Sequence, residues 1–199
     1  MPLDIDSRGL YTLLVVLVAA GRLVELRIAE HNRRQLLARG AVEASPGHYP
    51  WMVLLHTAFL IACPLEVWLL GRPFLPGLAA VALVVLVLAM ALRGWVISAL
   101  GGRGGRWTTR ILCLPGVAPV TGGPYRYLRH PNYLAVIAEI AALPLVHTAW
   151  LTAAVFSLLN AWLLRVRIAA EEAALTELSG YGPAFADRPR LVPGGGGGR

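Results

Sequence analysis

The apolar residues of this chain gather into long, nearly uninterrupted runs, unlike the alternation of half-buried strands or the one-sided stripe of soluble helices. The runs are Leu10 to Ile28, Pro50 to Leu70, Pro76 to Leu100 and Asn132 to Leu164. A bilayer hydrocarbon core about 30 Å thick is crossed by roughly 20 mostly apolar helical residues, which each of the first three runs supplies. The fourth is too long for one ordinary span, and Pro144 with His147 and Thr148 lies near its middle. It predicts two shorter helices in a hairpin, so the expected fold is an all-α integral membrane protein with five transmembrane helices. Composition agrees: 57% hydrophobic residues, 15% charged residues and a mean hydropathy of +0.62 lie far from a soluble domain.

The polar intervals are short, and none is rich enough in Pro, Ser or charge to separate two soluble domains. A single domain over residues 1–193 is expected, with a three-helix part at 1–105, a chemically richer part at 106–193 and a disordered glycine tail at 194–199. Ala29 to Tyr49 continues the first helix as an Arg-rich amphipathic stretch and ends in the turn signal Ser45-Pro46-Gly47-His48. Gly71-Arg72-Pro73-Phe74 is a tight turn. Gly101-Gly102-Arg103-Gly104-Gly105-Arg106 unwinds the chain after the third helix, and its lack of a following strand and of G-x-x-x-x-G-K-[ST] argues against a nucleotide-phosphate loop. Pro115, Gly116 and Pro119 exclude a long regular helix over Trp107 to Val120.

Charge adds orientation. All 18 basic residues are arginine, giving a formal charge of +7 that persists at any working pH. They cluster after the first run, around the third connection and after the last run, while Arg8 and Arg72 alone fall on the other side. The positive-inside rule then puts the N-terminus outside and the C-terminus in the cytoplasm, as an odd number of spans requires. The first run follows Asp4 and Asp6 without a cleavage site, so a retained helix in the cell (inner) membrane is expected. Arginines dispersed over membrane-flanking loops fit anionic lipid head groups and no nucleic acid. Cys63 and Cys113 supply neither a disulfide framework nor metal spacing, so no metal is expected.

The candidate chemistry lies on that inner side. Gly123-Pro124-Tyr125-Arg126-Tyr127-Leu128-Arg129-His130-Pro131-Asn132-Tyr133 packs rings and polar groups against the start of the fourth helix. Pro131 suits the first helical turn, which leaves free N–H groups facing the loop and favours an anion there. An interfacial belt of Tyr and Trp would account for the rings alone. After the last run, Arg167 and Glu171 stand four residues apart and share a helical face, the spacing of a surface salt bridge or of a shared site.

Gly123-Pro124-Tyr125, then Arg129-His130-Pro131-Asn132-Tyr133, a helical hairpin, Arg167, Glu171-Glu172 and a Tyr-Arg-Pro tail together resemble the isoprenylcysteine carboxyl methyltransferase family over roughly Arg106 to Pro193. The resemblance implies a cytoplasmic pocket for S-adenosyl-L-methionine and a lipophilic substrate that reaches it sideways from the bilayer. By position, it puts cofactor contacts on Arg110, Val117, Ala118, Pro119, Val120, Tyr125, His130, Pro131, Asn132, Tyr133 and Glu171, and a substrate contact on Arg167. His130 and the helix-start N–H groups would meet the methionine carboxylate, Glu171 the amino or ribose donors, and the rings the sulfonium.

Glu139 departs from the family's carboxyl-methylating members, which are mostly apolar after the His-Pro motif. An ionisable group at membrane depth is expensive and usually faces a cavity. Together with Arg106-Trp107-Thr108-Thr109-Arg110 and Pro115-Gly116 it resembles the bacterial branch that methylates hydroxyls of alkylresorcinols or alkylpyrones. There, Glu139, alone or with His130, is expected to orient or deprotonate a ring hydroxyl and to touch the substrate; a packing role within the bundle is the competing expectation. Glu66 and His56 are expected to be structural or to line the cavity. Carboxyl methylation of a prenylated cysteine, phospholipid amine methylation, a dinucleotide-dependent reductase and a lipid-binding protein without catalysis are the alternatives.

Overall fold

The computed structural model describes residues 6–191; the Gly194 to Gly198 tail lies outside them. Among the described residues the main elements are five helices, α1 (Ser7–Ala38), α2 (Tyr49–Leu69), α3 (Pro76–Ala99), α4 (Pro131–Leu145) and α5 (Trp150–Ser179), followed by a single turn, α6 (Tyr181–Ala184). Four of them, α1, α2, α3 and α5, are long and apolar enough to cross a membrane. Their outward faces carry Leu17, Leu69, Leu88, Leu158 and Trp162, all more than half exposed. A water-soluble protein rarely shows so continuous an apolar exterior. The chain is an all-α integral membrane protein.

The fourth apolar run divides where Pro144 and His147 interrupt it, with Thr148 in a left-handed conformation at the bend. Of the two helices, α4 has only 15 residues, about 22 Å at 1.5 Å per residue, less than the hydrocarbon thickness. It needs no lipid contact along most of its length, because Tyr133, Ala135, Val136, Ile140, Ala142 and Leu143 are all buried by the surrounding helices. The long helices instead overshoot. The C-terminal halves of α1 and α5 carry Arg33, Arg34, Arg165 and Arg167, which marks the polar side where the loops gather.

Two connections needed tertiary contacts to become visible. Val42–Glu43 pairs antiparallel with Leu112–Cys113, forming a two-stranded ladder, β1 and β2, between loops that read as irregular in the sequence. The glycine-rich turn is held from α1: the fully buried Asn32 donates to the carbonyls of Gly102 (2.7 Å) and Trp107 (2.9 Å) and accepts from the Gly104 N–H (2.7 Å). On the opposite side, Glu66 of α2 accepts from the N–H groups of Leu151 and Thr152 and pairs with Arg72. It caps the start of α5, a structural role.

Candidate active site

The loop from Gly123 is shaped before it is functional. Gly123 has φ +57°, and a Cβ there would sit 2.9 Å from that of Ala99, so the turn onto α3 requires glycine. A 3-10 turn over Gly123–Arg126 leads to His130, whose side chain makes no capping bond to α4. The C-terminal segment then crosses the loop. The N–H groups of Arg129 and His130 donate to the carbonyls of Pro189 and Arg190, the Arg129 guanidinium donates to Arg188 O (2.6 Å), and Arg188 returns a bond to Tyr125 O (2.7 Å).

Within this frame a cavity of about 580 Å³ runs from the loop into the bundle. Arg110, Val117, Pro119, Val120, Tyr125, His130, Asn132, Tyr133, Glu139, Arg167 and Glu171 all line it. Ala118 and Pro131 do not: the Ala118 carbonyl accepts from Arg106 (2.7 Å), and Pro131 is buried at the start of α4. The cavity is also lined by Arg22 and Glu25 of α1, Arg93 of α3 and Asn160 of α5, which no motif singled out, and by Tyr181 of the C-terminal tail. Polar positions inside apolar runs were the one available signal for the first four. His56 lines the wall from α2 with its Nδ1 on Met52 O (2.8 Å).

Arg167 and Glu171 do not pair directly. Their meeting point is the Tyr133 hydroxyl, which accepts from Arg167 Nε (2.8 Å) and donates to Glu171 Oε2. A second Arg167 nitrogen donates to Thr109 O (2.7 Å). His130 stacks on Tyr133 and contacts Glu172 (3.1 Å), which Arg190 holds through two bonds. His130 thus belongs to the tail-side network, and Glu139, nine residues along α4, lies about 13 Å further by helical rise. The two do not converge on one atom. Arg110 is engaged with Glu43 (2.6 Å) and lies over the Tyr49 ring at 4.0 Å.

Burial and the nearby Glu171 push the phenol of Tyr125 up; burial and Glu172 do the same for Tyr181. Both stay neutral at physiological pH. Asn132 Oδ1, Arg167 Nη1 and Tyr181 Oη are buried without a hydrogen-bond partner. Such groups are costly unless something completes them. An acceptor and a donor, walled by neutral rings, suit a zwitterionic amino-acid moiety with an adjacent cation.

Residues 80–177 match the profile of the isoprenylcysteine carboxyl methyltransferase (ICMT) family. The uncharacterized protein YpbQ of Bacillus subtilis (strain 168) is 38% identical over 173 residues, covering 85% of this chain and 99% of that protein. The chain belongs to the isoprenylcysteine carboxyl methyltransferase family. An uncharacterized protein of Haemophilus influenzae (strain ATCC 51907 / DSM 11121 / KW20 / Rd) is 30% identical over 162 residues, 81% of this chain and 92% of that one. The structure of the eukaryotic intramembrane Ras methyltransferase ICMT superposes with a TM-score of 0.54 at 19% identity, over 75% of this chain and 55% of that one. The chain therefore spans little more than half that structure's length while sharing its fold. As an ICMT-family member it is a membrane methyltransferase, of a family whose methyl donor is S-adenosyl-L-methionine.

Proposed function

We propose that this methyltransferase binds S-adenosyl-L-methionine on the cytoplasmic side of the cell membrane and methylates a ring hydroxyl of a long-chain polyketide lipid, an alkylresorcinol or alkylpyrone. The observation that carries the reading is the single cavity that joins the polar pocket beneath the tail to Glu139 and the apolar bundle interior. When bound, the donor supplies an already activated methyl sulfonium. Asn132 Oδ1 and Glu171 accept from its amino and ribose donors, His130 and the start of α4 hold the carboxylate end, and Tyr125, Tyr133 and Tyr181 enclose the sulfonium. Arg110, Val117, Pro119 and Val120 complete the wall. Arg167 holds the acceptor's head from the α5 side.

Leu23 and Val53 line the cavity and are also exposed on the outer surface of α1 and α2, the side from which a lipid tail reaches the cavity. Glu139 receives the hydroxyl proton or orients the hydroxyl. Positioning supplies most of the rate: near-attack geometry can lower a barrier by about 7–11 kcal/mol. The test is twofold. Calorimetric titration is expected to give binding of S-adenosyl-L-methionine and none of NADPH; absence of donor binding overturns the cofactor reading. Transfer of labelled methyl to a mixture of alkylresorcinol, alkylpyrone, farnesylcysteine and phosphatidylethanolamine is expected to mark the ring lipids. Label on the carboxylate or the amine reassigns the acceptor.

A further inference from the structure

Two arginines and two glutamates meet inside the bundle, apart from the tail-side network. Arg22 of α1 donates to Glu25 of the same helix (2.5 Å) and to Glu139 of α4 (2.5 Å), while Arg93 of α3 donates through Nε to Glu25 (2.8 Å). Two guanidiniums and two carboxylates leave the cluster formally neutral. One contact is incomplete. Arg93 Nη1 is buried without a hydrogen-bond partner, and Glu139 Oε2 lies 3.6 Å from it, beyond the roughly 3.2 Å reach of a good hydrogen bond. Arg93 is only 9% exposed, and both residues line the cavity. An unpaired guanidinium N–H at membrane depth is expensive, and such groups mark ligand sites.

We propose, on the basis of the function above, that Arg22, Glu25, Arg93 and Glu139 form the head-group subsite, in which Arg93 Nη1 donates to the acceptor oxygen and Glu139 Oε2 receives its proton. A hydroxyl oxygen about 2.8 Å from each atom lies within hydrogen-bond distance of both across the 3.6 Å gap. Arg22 and Glu25 are positioning residues. Arg22 fixes the other oxygen of Glu139, and Glu25 holds both guanidiniums in place.

The charge balance selects the chemistry. As the O–H bond breaks, its proton goes to Glu139 and the acceptor oxygen takes up the negative charge beside Arg93, so cluster and acceptor together stay neutral until the methyl group arrives; Glu139 then releases the proton to water as the product leaves. That oxygen then attacks the methyl carbon, the carbon–sulfur bond breaks, and its electron pair passes to sulfur, turning the sulfonium into a thioether. A carboxylate acceptor would bring a negative charge with no proton to pass to Glu139. An amine would find no use for Arg93. A weakly acidic phenol or enol on a lipid tail fits both groups.

The experiment uses the full chain in detergent or nanodiscs, with a pentadecyl resorcinol and its ring-fluorinated, more acidic analogue as acceptors. Arg93→Met is expected to lower kcat/KM for the resorcinol about 100-fold, the scale of losing one oxyanion donor, with Arg93→Lys recovering part. The calorimetric Kd for S-adenosyl-L-methionine should stay within about twofold of wild type. Glu139→Gln is expected to lose about 100-fold or more in kcat, as for a general base, and to recover largely on the fluorinated acceptor. If wild type methylates the resorcinol and Arg93→Met keeps its kcat and KM, the subsite proposal falls while the function stands. If wild type binds the donor but methylates only a carboxylate or amine lipid, the function itself falls. Should Arg93→Met lose donor binding altogether, Glu139→Gln decides: equal losses on both acceptors overturn the proton transfer.

Discussion

Asn32 carries no charge and belongs to no motif, yet its amide makes three hydrogen bonds to the glycine-rich turn and to Trp107. Removing it strands buried backbone groups, each worth about 1–3 kcal/mol. Asn32→Ala is expected to lower the unfolding temperature measurably in a thermal melt of the detergent-solubilised protein. Gly105 is constrained more tightly still, since a Cβ there would lie 2.1 Å from Leu100 O. Gly105→Ala should give little folded protein by size-exclusion chromatography. Cys113 offers a chemical readout. Burial, with Glu171 close by, pushes its thiol up to about 11 from an ordinary value of 9.0, so at pH 8 the folded protein presents an unreactive thiol. Alkylation by N-ethylmaleimide should be slow until detergent denaturation. The sign follows for stability: below about pH 9 both states keep the proton, whereas between about 9 and 11 only the unfolded chain ionises, and stability falls across that window.

At the scale of elements, the hydrophobic runs of α1, α2 and α3 were legible because a membrane span is written in length and composition alone. The hairpin was legible too, from Pro144 and His147 in the middle of a run. The short ladder of β1 and β2 was not, since two-residue strands have no periodicity to read and exist only through pairing between Val42 and Cys113. For the site, the His130 to Tyr133 motif and Arg167–Glu171 pointed to residues that do line one cavity. Arg22 and Glu25 stayed hidden because nothing local says which side chain a polar residue in a span will meet 100 residues away. The C-terminal crossing was equally unreadable, being made of backbone carbonyls that any sequence provides. Arg129→Ala removes the guanidinium contacts to Arg188 and Ala186, and on the proposed function should weaken S-adenosyl-L-methionine binding roughly tenfold, equivalent to about 1.4 kcal/mol. An unchanged calorimetric Kd would detach the tail from cofactor binding.

Across the whole molecule, polar chemistry concentrates at one end and apolar surface wraps the rest. In a background lacking Cys63 and Cys113, a cysteine placed at Gly47 should react with a membrane-impermeant maleimide only from the cytoplasmic side, and one placed at Phe74 only from the other; the reverse pattern inverts the orientation inferred from the arginines. The division of labour also follows the chain. The family profile begins at residue 80, after both α1 residues of the neutral cluster, so half of the proposed head-group subsite comes from outside the profile. On the proposed function, Leu23 and Val53, apolar on the outer surface and on the cavity wall alike, make the lipid phase the solvent from which the acceptor is drawn. Its effective concentration is then a mole fraction in the bilayer. Diluting a fixed amount of acceptor with inert phospholipid, at constant bulk concentration, should slow turnover in proportion, while the dependence on the water-soluble methyl donor stays unchanged.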